Sequence, residues 1–172
     1  MKYNISESPL GELIIVSSVN GLCVVEFADD RQKLIQKLEK KFNSTFKEND
    51  YPIIKKCKTQ LTEYFNGTRK EFDIPFDLCG SDFQKKVWNL LGDIPYGKTV
   101  SYLELSKKHG DPKAIRAIAS ANGDNPVAIL IPCHRVIGSD GSLTGYAGGL
   151  ARKQWLLEHE QNFSGHRQEK LF

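Results

Sequence analysis

The sequence predicts a mixed α/β (α+β) fold built from two domains. Three short candidate strands open the chain, at residues 2–6, 12–18 and 22–27, and the second and third have apolar centres. Asn20-Gly21, between the second and third runs, is typical of a hairpin turn and favours an antiparallel sheet. The pattern breaks at Cys79-Gly80-Ser81, and helical spacing dominates beyond it. We therefore expect a small sheet domain followed by a mainly helical domain.

Two helices and a last strand complete the predicted N-terminal domain, residues 1–78. Apolar side chains at helical spacing (Leu34, Ile35, Leu38 and Phe42) predict the first helix. Pro52 suits the start of the second, which runs through residues 53–65 to Asn66-Gly67. Residues 72–78 are apolar and predict a final strand. Nothing in this half indicates catalysis, and Cys23, Cys57 and Cys79 are interpreted as packing residues.

The predicted C-terminal domain, residues 79–160, begins with a helix capped by Ser81 and ends with a helix over residues 150–160. A polar tail, residues 161–172, follows. Between these helices lie two short ones, residues 102–109 and 113–122, separated by Gly110 and Pro112. Such a pair fits a helix-turn-helix, although an ordinary helical hairpin has the same pattern. The alanine-rich second helix is slim enough to enter a groove.

The positive charge of the chain lies in its second half. Residues 1–81 hold 12 basic and 12 acidic side chains, whereas residues 82–172 hold 12 and 9. The distribution favours a polyanionic partner for the second half, although a surplus of three charges also arises by chance.

The four cysteines show no CxxC spacing, so the sequence does not support a metal site. The N-terminus has no basic segment followed by an apolar stretch of signal length, and no run reaches membrane-spanning length. We therefore expect a cytoplasmic protein, in which a reactive thiol stays reduced.

The stretch that carries the chemistry surrounds a cysteine. Residues 127–131 are apolar and predict a buried strand that stops at Pro132. Cys133, His134 and Arg135 follow directly, which would hold a nucleophile rigidly at the floor of a pocket. Cysteine is also a common small core residue, so the triplet by itself leaves a structural role open.

The motif PCHRV at residues 132–136, preceded by Asn125-Pro126 and followed by GYAGG at residues 145–149, resembles the O6-alkylguanine-DNA alkyltransferases, also called methylated-DNA–protein-cysteine methyltransferases. Specific motifs support the resemblance from residue 81 to residue 160. The N-terminal half is similar only in length and in its strand-first layout. The resemblance implies a ribonuclease H-like N-terminal domain and a C-terminal domain of the winged helix-turn-helix type.

The resemblance also implies a catalytic set. Cys133 would be the nucleophile, His134 would accept its proton through a water, and Glu160 would orient His134. Glu160 ends the motif WLLxHE, and spacing alone does not choose it over Glu158. Asn125 would tie the helix-turn-helix to the active-site turn. Tyr102 would press on the DNA phosphate and donate its hydroxyl to the guanine.

The remaining implied residues contact DNA or the base. The motif SYxxL…PKAxRA places Tyr102 and Arg116 where the family reads the groove, and Arg116 would enter the vacated base stack. The DNA-binding and pocket residues that the resemblance adds are Lys113, Ala114, Ala117, Tyr146, Val136, Ala147 and Gly148.

The predicted function is DNA repair: stoichiometric transfer of an alkyl group from O6-alkylguanine, flipped out of double-stranded DNA in the minor groove, to Cys133. We expect no cofactor, no metal and a monomer. The preferred alkyl group and activity on O4-alkylthymine stay open. The main alternative is a module that recognises damaged DNA without transfer, although such proteins lack the reactive cysteine. A transcription regulator and a cysteine hydrolase are weaker alternatives.

Overall fold

The computed structural model describes residues 1–165. The chain divides into two compact units, Met1–Cys79 and Gly80–Phe172. The N-terminal unit is a four-stranded sheet with two helices, and the C-terminal unit is mainly helical. No helix within the described residues is long and apolar enough to cross a membrane.

The sheet of the first unit has the strand order β3-β2-β1-β4. Its strands are β1 (Lys2–Ser6), β2 (Leu13–Ser17), β3 (Leu22–Phe27) and β4 (Lys47–Glu48). β2 pairs antiparallel with β1 and β3, whereas β4 pairs parallel with β1. The predicted hairpin forms at Asn20-Gly21, where the Ser18 amide donates to the Gly21 carbonyl at 3.1 Å. β2 is buried along its whole length because it is central and covered.

Helices α1 (Arg31–Phe42) and α2 (Pro52–Phe65) form where helical spacing predicted them. The Asp30 side chain caps α1 by accepting from the Lys33 amide, and Pro52 occupies the first turn of α2. Cys23 and Cys57 are buried in the packing, as expected. Cys79 is exposed, so the prediction of a packing role for it is wrong.

The predicted strand at residues 72–78 is also wrong, since only Phe76 forms an isolated bridge, to Leu22. Pro75 has no amide to donate, and the Asp73 amide donates to the side chain of Gln60 at 3.0 Å. Pairing is therefore limited to the single bridge, in which the Asp77 amide donates to the Leu22 carbonyl at 2.8 Å. β4, which the sequence analysis did not predict, consists of two exposed residues without an apolar signal.

The second unit opens with α3 (Asp82–Gly92), whose N-terminus is closed by a reciprocal Ser81–Gln84 capping box. The helices of the helix-turn-helix are α4 (Tyr102–His109) and α5 (Ile115–Gly123), joined by a 3₁₀ turn at Pro112–Ala114. Gly110 ends α4 with φ of 104°, a left-handed conformation that suits glycine. The Trp88 indole donates to the Ala121 carbonyl at 2.9 Å and thereby ties α3 to α5.

The strands β5 (Val100–Ser101) and β6 (Val136–Ile137) pair in parallel beside α4. The last helix, α6 (Leu150–Phe163), continues beyond the predicted end at residue 160. The first residues of the predicted polar tail are therefore helical, and residues 166–172 lie outside the described part of the chain.

Candidate active site

The apolar run before Cys133 is a compact turn, so the prediction of a buried strand there is wrong. The segment is buried as expected, with Val127, Ile129 and Ile131 each at most 3% exposed. Apart from an isolated β-bridge at Val127, the segment is closed by local hydrogen bonds: the Ile131 amide donates to the Val127 carbonyl at 3.0 Å. The Asn125 side chain closes the turn, since its Nδ2 donates to the Ile131 carbonyl at 2.7 Å and its Oδ1 accepts from the Val127 amide at 3.0 Å. We call this pair of bonds the Asn125 clasp.

Cys133 begins a single 3₁₀ turn, Cys133–Arg135, directly after the clasped segment. Its thiol is free and buried, with the residue 5% exposed. Burial raises the pKa of the Cys133 thiol, and the Asn125 side chain and the Lys153 ammonium lower it in part. The sulfur therefore holds its proton at neutral pH and needs a base before it can act as a nucleophile.

The Glu160 carboxylate joins the two residues that follow the cysteine. Glu160 Oε1 lies 2.7 Å from His134 Nε2, and Arg135 donates to both carboxylate oxygens, through Nε at 2.8 Å and Nη2 at 2.9 Å. Arg135 Nη1 also donates to the Ile94 carbonyl at 2.6 Å. His134 and Glu160 are fully buried. A buried carboxylate needs such partners, since charge removed from water without them is costly.

The ionisation of this cluster follows from its contacts. Burial would raise the pKa of Glu160, but hydrogen bonds from His134 and Arg135 hold it well below its usual range. Burial lowers the pKa of His134, so the imidazole is neutral near pH 7. An ionised carboxylate only accepts, which assigns the imidazole proton to Nε2 and leaves a lone pair on Nδ1. His134 Nδ1 is buried and has no hydrogen-bond partner within residues 1–165.

A second set of contacts surrounds the tyrosine that begins α4. The Tyr102 hydroxyl donates to the Thr144 carbonyl at 2.9 Å. Lys153, which is fully buried on α6, donates from Nζ to the same carbonyl at 2.9 Å and to the Gly145 carbonyl at 3.3 Å. Burial raises the pKa of Tyr102, so its phenol remains a proton donor. The glycine-rich segment 143–149 is thus held from two sides.

The outer face of the helix-turn-helix carries the predicted groove-reading side chains. Arg116, Lys113 and Ala117 are exposed, whereas Ile118 and Ala121 are buried beneath them. Ala114 is half-buried and ends the 3₁₀ turn before α5. The exposed face of α5 is therefore slim and bears positive charge at its N-terminal end.

Comparison with known proteins decides the family. Residues 82–162 match the DNA-binding domain of 6-O-methylguanine DNA methyltransferase, and residues 1–78 match its ribonuclease-like domain. The chain belongs to the O6-methylguanine DNA methyltransferase family. It is 43% identical over 160 residues to the methylated-DNA–protein-cysteine methyltransferase of Methanosarcina acetivorans, covering 93% of this chain and 98% of that protein.

Mycobacterial members of the family are also similar to this chain. The methylated-DNA–protein-cysteine methyltransferase of Mycolicibacterium paratuberculosis is 57% identical over 105 residues, which is 61% of this chain and 64% of that protein. The crystal structure of Mycobacterium tuberculosis OGT in complex with DNA superposes with a TM-score of 0.83 at 39% identity, covering 95% of this chain and 94% of that one. The two-domain α/β fold expected from the sequence is confirmed.

In this member of the family, the predicted site residues fall into three places. Asn125 acts on Cys133, whose pKa its side chain lowers in part, and His134 and Glu160 form the buried pair that follows the cysteine. Among the predicted pocket residues, Tyr146 has a buried hydroxyl, and burial followed by the Cys133 charge raises its pKa well above 10. Val136 is buried in β6, Gly148 is half-buried and Ala147 is exposed. The groove-reading residues lie on α5 and the turn before it.

Sequence reasoning missed Lys153, a second buried cation of the site beside Arg135. Burial lowers the pKa of Lys153, and the nearby Cys133 charge raises it in part, so the ammonium and the sulfur are electrostatically linked. A signal was present: Lys153 is followed at three and seven residues by Leu156 and Glu160, which places it on the buried face of α6. Within the described residues, no group of three His, Cys, Asp or Glu side chains could hold a metal ion.

Replacing Glu160 by Gln should destabilise the fold and alter its pH dependence. The variant leaves Arg135 buried without its counter-charge, which costs about 3–5 kcal/mol of unfolding free energy at pH 7. Because folding lowers the pKa of Glu160, its carboxylate stabilises the folded state fully above the ordinary pKa of 4.5. This stabilisation is lost as the pH falls below 4.5. The free energy of unfolding, measured in urea from pH 3 to pH 7, should therefore fall less steeply toward acid pH in the variant than in the wild type. We call this fall the acid slope.

Glu158→Gln is the matched control, because Glu158 is an exposed carboxylate on the same helix, with a hydrogen bond to Gln154. It should stay within about 0.5 kcal/mol of the wild type. Equal acid slopes for the wild type and Glu160→Gln would contradict the assigned ionisation of Glu160.

Proposed function

We propose that this chain repairs DNA by transferring a methyl or other alkyl group from O6-alkylguanine to the sulfur of Cys133. One observation carries the proposal: a buried thiol stands next to a neutral histidine whose tautomer is fixed by Glu160, in a unit that bears a helix-turn-helix. Relatives similar along the whole chain are named methylated-DNA–protein-cysteine methyltransferases, which supports the same reaction.

The reaction is a displacement at the alkyl carbon. The Cys133 sulfur forms a bond to that carbon while the bond from the carbon to guanine O6 breaks, and the electron pair leaves with the base. The thiol proton passes to His134 Nδ1 through a water, and a proton from the Tyr102 hydroxyl neutralises the departing guanine. The proton held by His134 then returns through water to the Tyr102 oxygen, so both side chains end neutral. The products are a thioether on Cys133 and an unmodified guanine, so each chain acts once.

His134 suits the role of base because its free lone pair lies on Nδ1. Glu160 accepts from Nε2 and stabilises the imidazolium that forms when His134 takes the proton. Arg135, which binds both oxygens of Glu160, keeps the carboxylate in place and ionised. We assign Arg135 to this structural task rather than to the substrate.

Lys153 compensates the charge of the thiolate. A buried ammonium near the sulfur favours the ionised thiol, and the Lys153 charge is one of the effects that lower the pKa of Cys133. The same ammonium holds the Thr144 and Gly145 carbonyls, so it also positions the segment that would cover the base.

The base pocket would be formed by the residues that the resemblance assigns. Tyr146 would line the alkyl group, and the backbone of Val136, Ala147 and Gly148 would read the guanine edge. In the free protein the Tyr102 hydroxyl donates to the Thr144 carbonyl. On substrate binding it would exchange that carbonyl for the guanine, whose protonation it assists.

Double-stranded DNA is the proposed partner. The target atom is enclosed in the duplex, so the nucleotide must rotate out, at a cost of roughly a few kcal/mol. The slim outer face of α5 would enter the minor groove with Arg116 in the vacated stack, and Lys113 would contact phosphate. Ala114 and Ala117 let the backbone approach closely, and Tyr102 would press on the phosphate of the flipped nucleotide.

We also place the protein in the cytoplasm and expect it to act as a monomer. The four cysteines of the chain are free, which fits a reducing compartment that keeps a reactive thiol competent.

The decisive test incubates the protein with a duplex containing one O6-methylguanine and weighs the protein and the DNA by mass spectrometry. The peptide bearing Cys133 should gain the mass of one methylene group, with no turnover beyond one equivalent. Cys133→Ser should bind the duplex and gain nothing. Unmodified wild-type protein on the duplex would favour a damage-recognition module, and repeated turnover would favour a hydrolase.

Lys153→Met should slow transfer by raising the pKa of Cys133. Loss of the ammonium removes one of the effects that lower that pKa, so less thiolate forms at pH 7 and the transfer rate should fall by about tenfold or more. The deficit should shrink as the pH rises, because burial lowers the pKa of Lys153 and the wild type also loses its ammonium at high pH. Single-turnover rates measured from pH 6 to pH 10 give this profile.

Arg152→Met is the control for Lys153, since Arg152 Nη1 donates to the Gly148 carbonyl at 3.2 Å and holds the same segment. It should leave the inflection of the pH profile in place. A deficit for Lys153→Met that stays constant with pH would assign Lys153 to loop positioning alone.

Arg116→Ala should impair repair in a duplex more than transfer from the free modified base. Without the residue that fills the stack, the flipping cost of a few kcal/mol is less well compensated, and the transfer rate in duplex should fall by about 10–100-fold. The rate with free O6-alkylguanine should change by less than about threefold. Lys113→Ala, a phosphate contact, should instead weaken binding to all duplexes and reduce the salt dependence. Equal losses on both substrates would refute the role of Arg116.

A further inference from the structure

The turn that precedes Cys133 contains a strained residue. Ile129 has a φ of 72°, and the Leu130 amide donates across it to the Ala128 carbonyl at 2.8 Å. These features define a γ-turn of the positive-φ form, which is rare and strained. A β-branched residue in this region is an outlier, since its side chain crowds the backbone.

A second γ-turn follows, and it is relaxed. Pro132 has φ of −83° and ψ of 62°, and the Cys133 amide donates across it to the Ile131 carbonyl at 2.8 Å. This is the common inverse form, whose φ matches the one that the proline ring fixes. The direction in which Cys133 leaves the turn is therefore set by the orientation of the Ile131 carbonyl.

The Asn125 clasp holds that carbonyl. Ile131 O accepts from Asn125 Nδ2 at 2.7 Å as well as from the Cys133 amide, and the Ile131 amide is bound to Val127. The Ile129 side chain is 1% exposed, so core packing anchors the tip of the turn. Strained residues persist only where the surroundings over-determine them, and such residues cluster at functional sites.

We propose that Ile129 is a positioning residue for Cys133, whose strained γ-turn is held by the Asn125 clasp and aims the sulfur. The proposal rests on the function proposed above. If the clasp is lost, Ile129 is driven to a negative φ, the peptide after it rotates, and the Ile131 carbonyl no longer orients Cys133. A glycine at this position has no such drive, because positive φ costs it nothing.

The test compares Ile129→Gly with Ile129→Ala, which lose nearly the same packing and differ in the penalty for positive φ. Glycine usually makes a fold less stable than alanine does. Here the order should reverse, with an unfolding equilibrium constant about three- to fivefold smaller for the glycine variant in urea. An alanine variant at least as stable as the glycine variant would overturn the assigned strain. If both variants unfold, Ile129→Leu and Ile129→Val replace them. Leucine lacks the β-branch, so Ile129→Leu should be at least as stable as Ile129→Val, and the opposite order would also refute the assigned strain.

A second experiment adds Asn125→Ala to the Ile129→Ala variant and to the Ile129→Gly variant, which serve as two backgrounds. It measures the transfer rate at saturating duplex separately from the affinity for the duplex. Asn125→Ala should lower the transfer rate about tenfold more in the Ile129→Ala background than in the Ile129→Gly background, with equal changes in affinity. The direct effect of Asn125 on the pKa of Cys133 is common to both backgrounds and cancels. Equal rate losses would refute the coupling. Failure of the wild type to accept an alkyl group would refute the proposed function instead, and the stability order would still test the strain.

Discussion

The second unit depends on one buried carboxylate. Glu160 is shared by an imidazole and a guanidinium that are consecutive in the sequence, and this sharing requires the 3₁₀ turn that places His134 and Arg135 on the same side of the chain. The ionised carboxylate fixes which nitrogen of His134 carries the proton. It also anchors α6 to the turn that bears the cysteine. Structure and reactivity therefore rest on the same contacts, and a change that removes the charge affects both.

The site keeps the nucleophile protonated until a base removes the thiol proton. Burial keeps the Cys133 proton in place, while Lys153 and Asn125 limit how far its pKa rises. A permanently ionised thiolate would react with any electrophile or oxidant that reached it. A neutral imidazole with a free lone pair can take the thiol proton, and Glu160 stabilises the imidazolium that results. This balance suits a protein whose sulfur is consumed by a single reaction.

Much of the fold could be predicted because local signals agree with it. Asn20-Gly21, Pro52 and the Ser81 capping box mark ends of elements by side-chain chemistry that needs no distant partner. The predictions failed where a side chain replaces a backbone partner. Gln60 takes a donor from residues 72–78, and Asn125 closes residues 127–131 into a turn. These two apolar runs of strand length therefore form only isolated bridges.

The candidate site was predicted through its motif, and the structure adds what the motif does not contain. Lys153 was missed because lysine is nearly always exposed, and only its spacing on α6 indicates a buried face. The strain at Ile129 was missed because isoleucine within an apolar run favours a strand by its usual propensity. Both residues act by tertiary context, which overrides the local preference.

The placement of Lys153 and Glu160 on one helix has a consequence for how the gene can change. The two residues are about two helical turns apart, and both point to the interior. Insertion or deletion of a single codon between them would rotate one relative to the other by about 100° and remove either the ammonium or the carboxylate from its partners. Length variation among descendants of this sequence should therefore accumulate in the 138–142 turn and spare this short interval of α6.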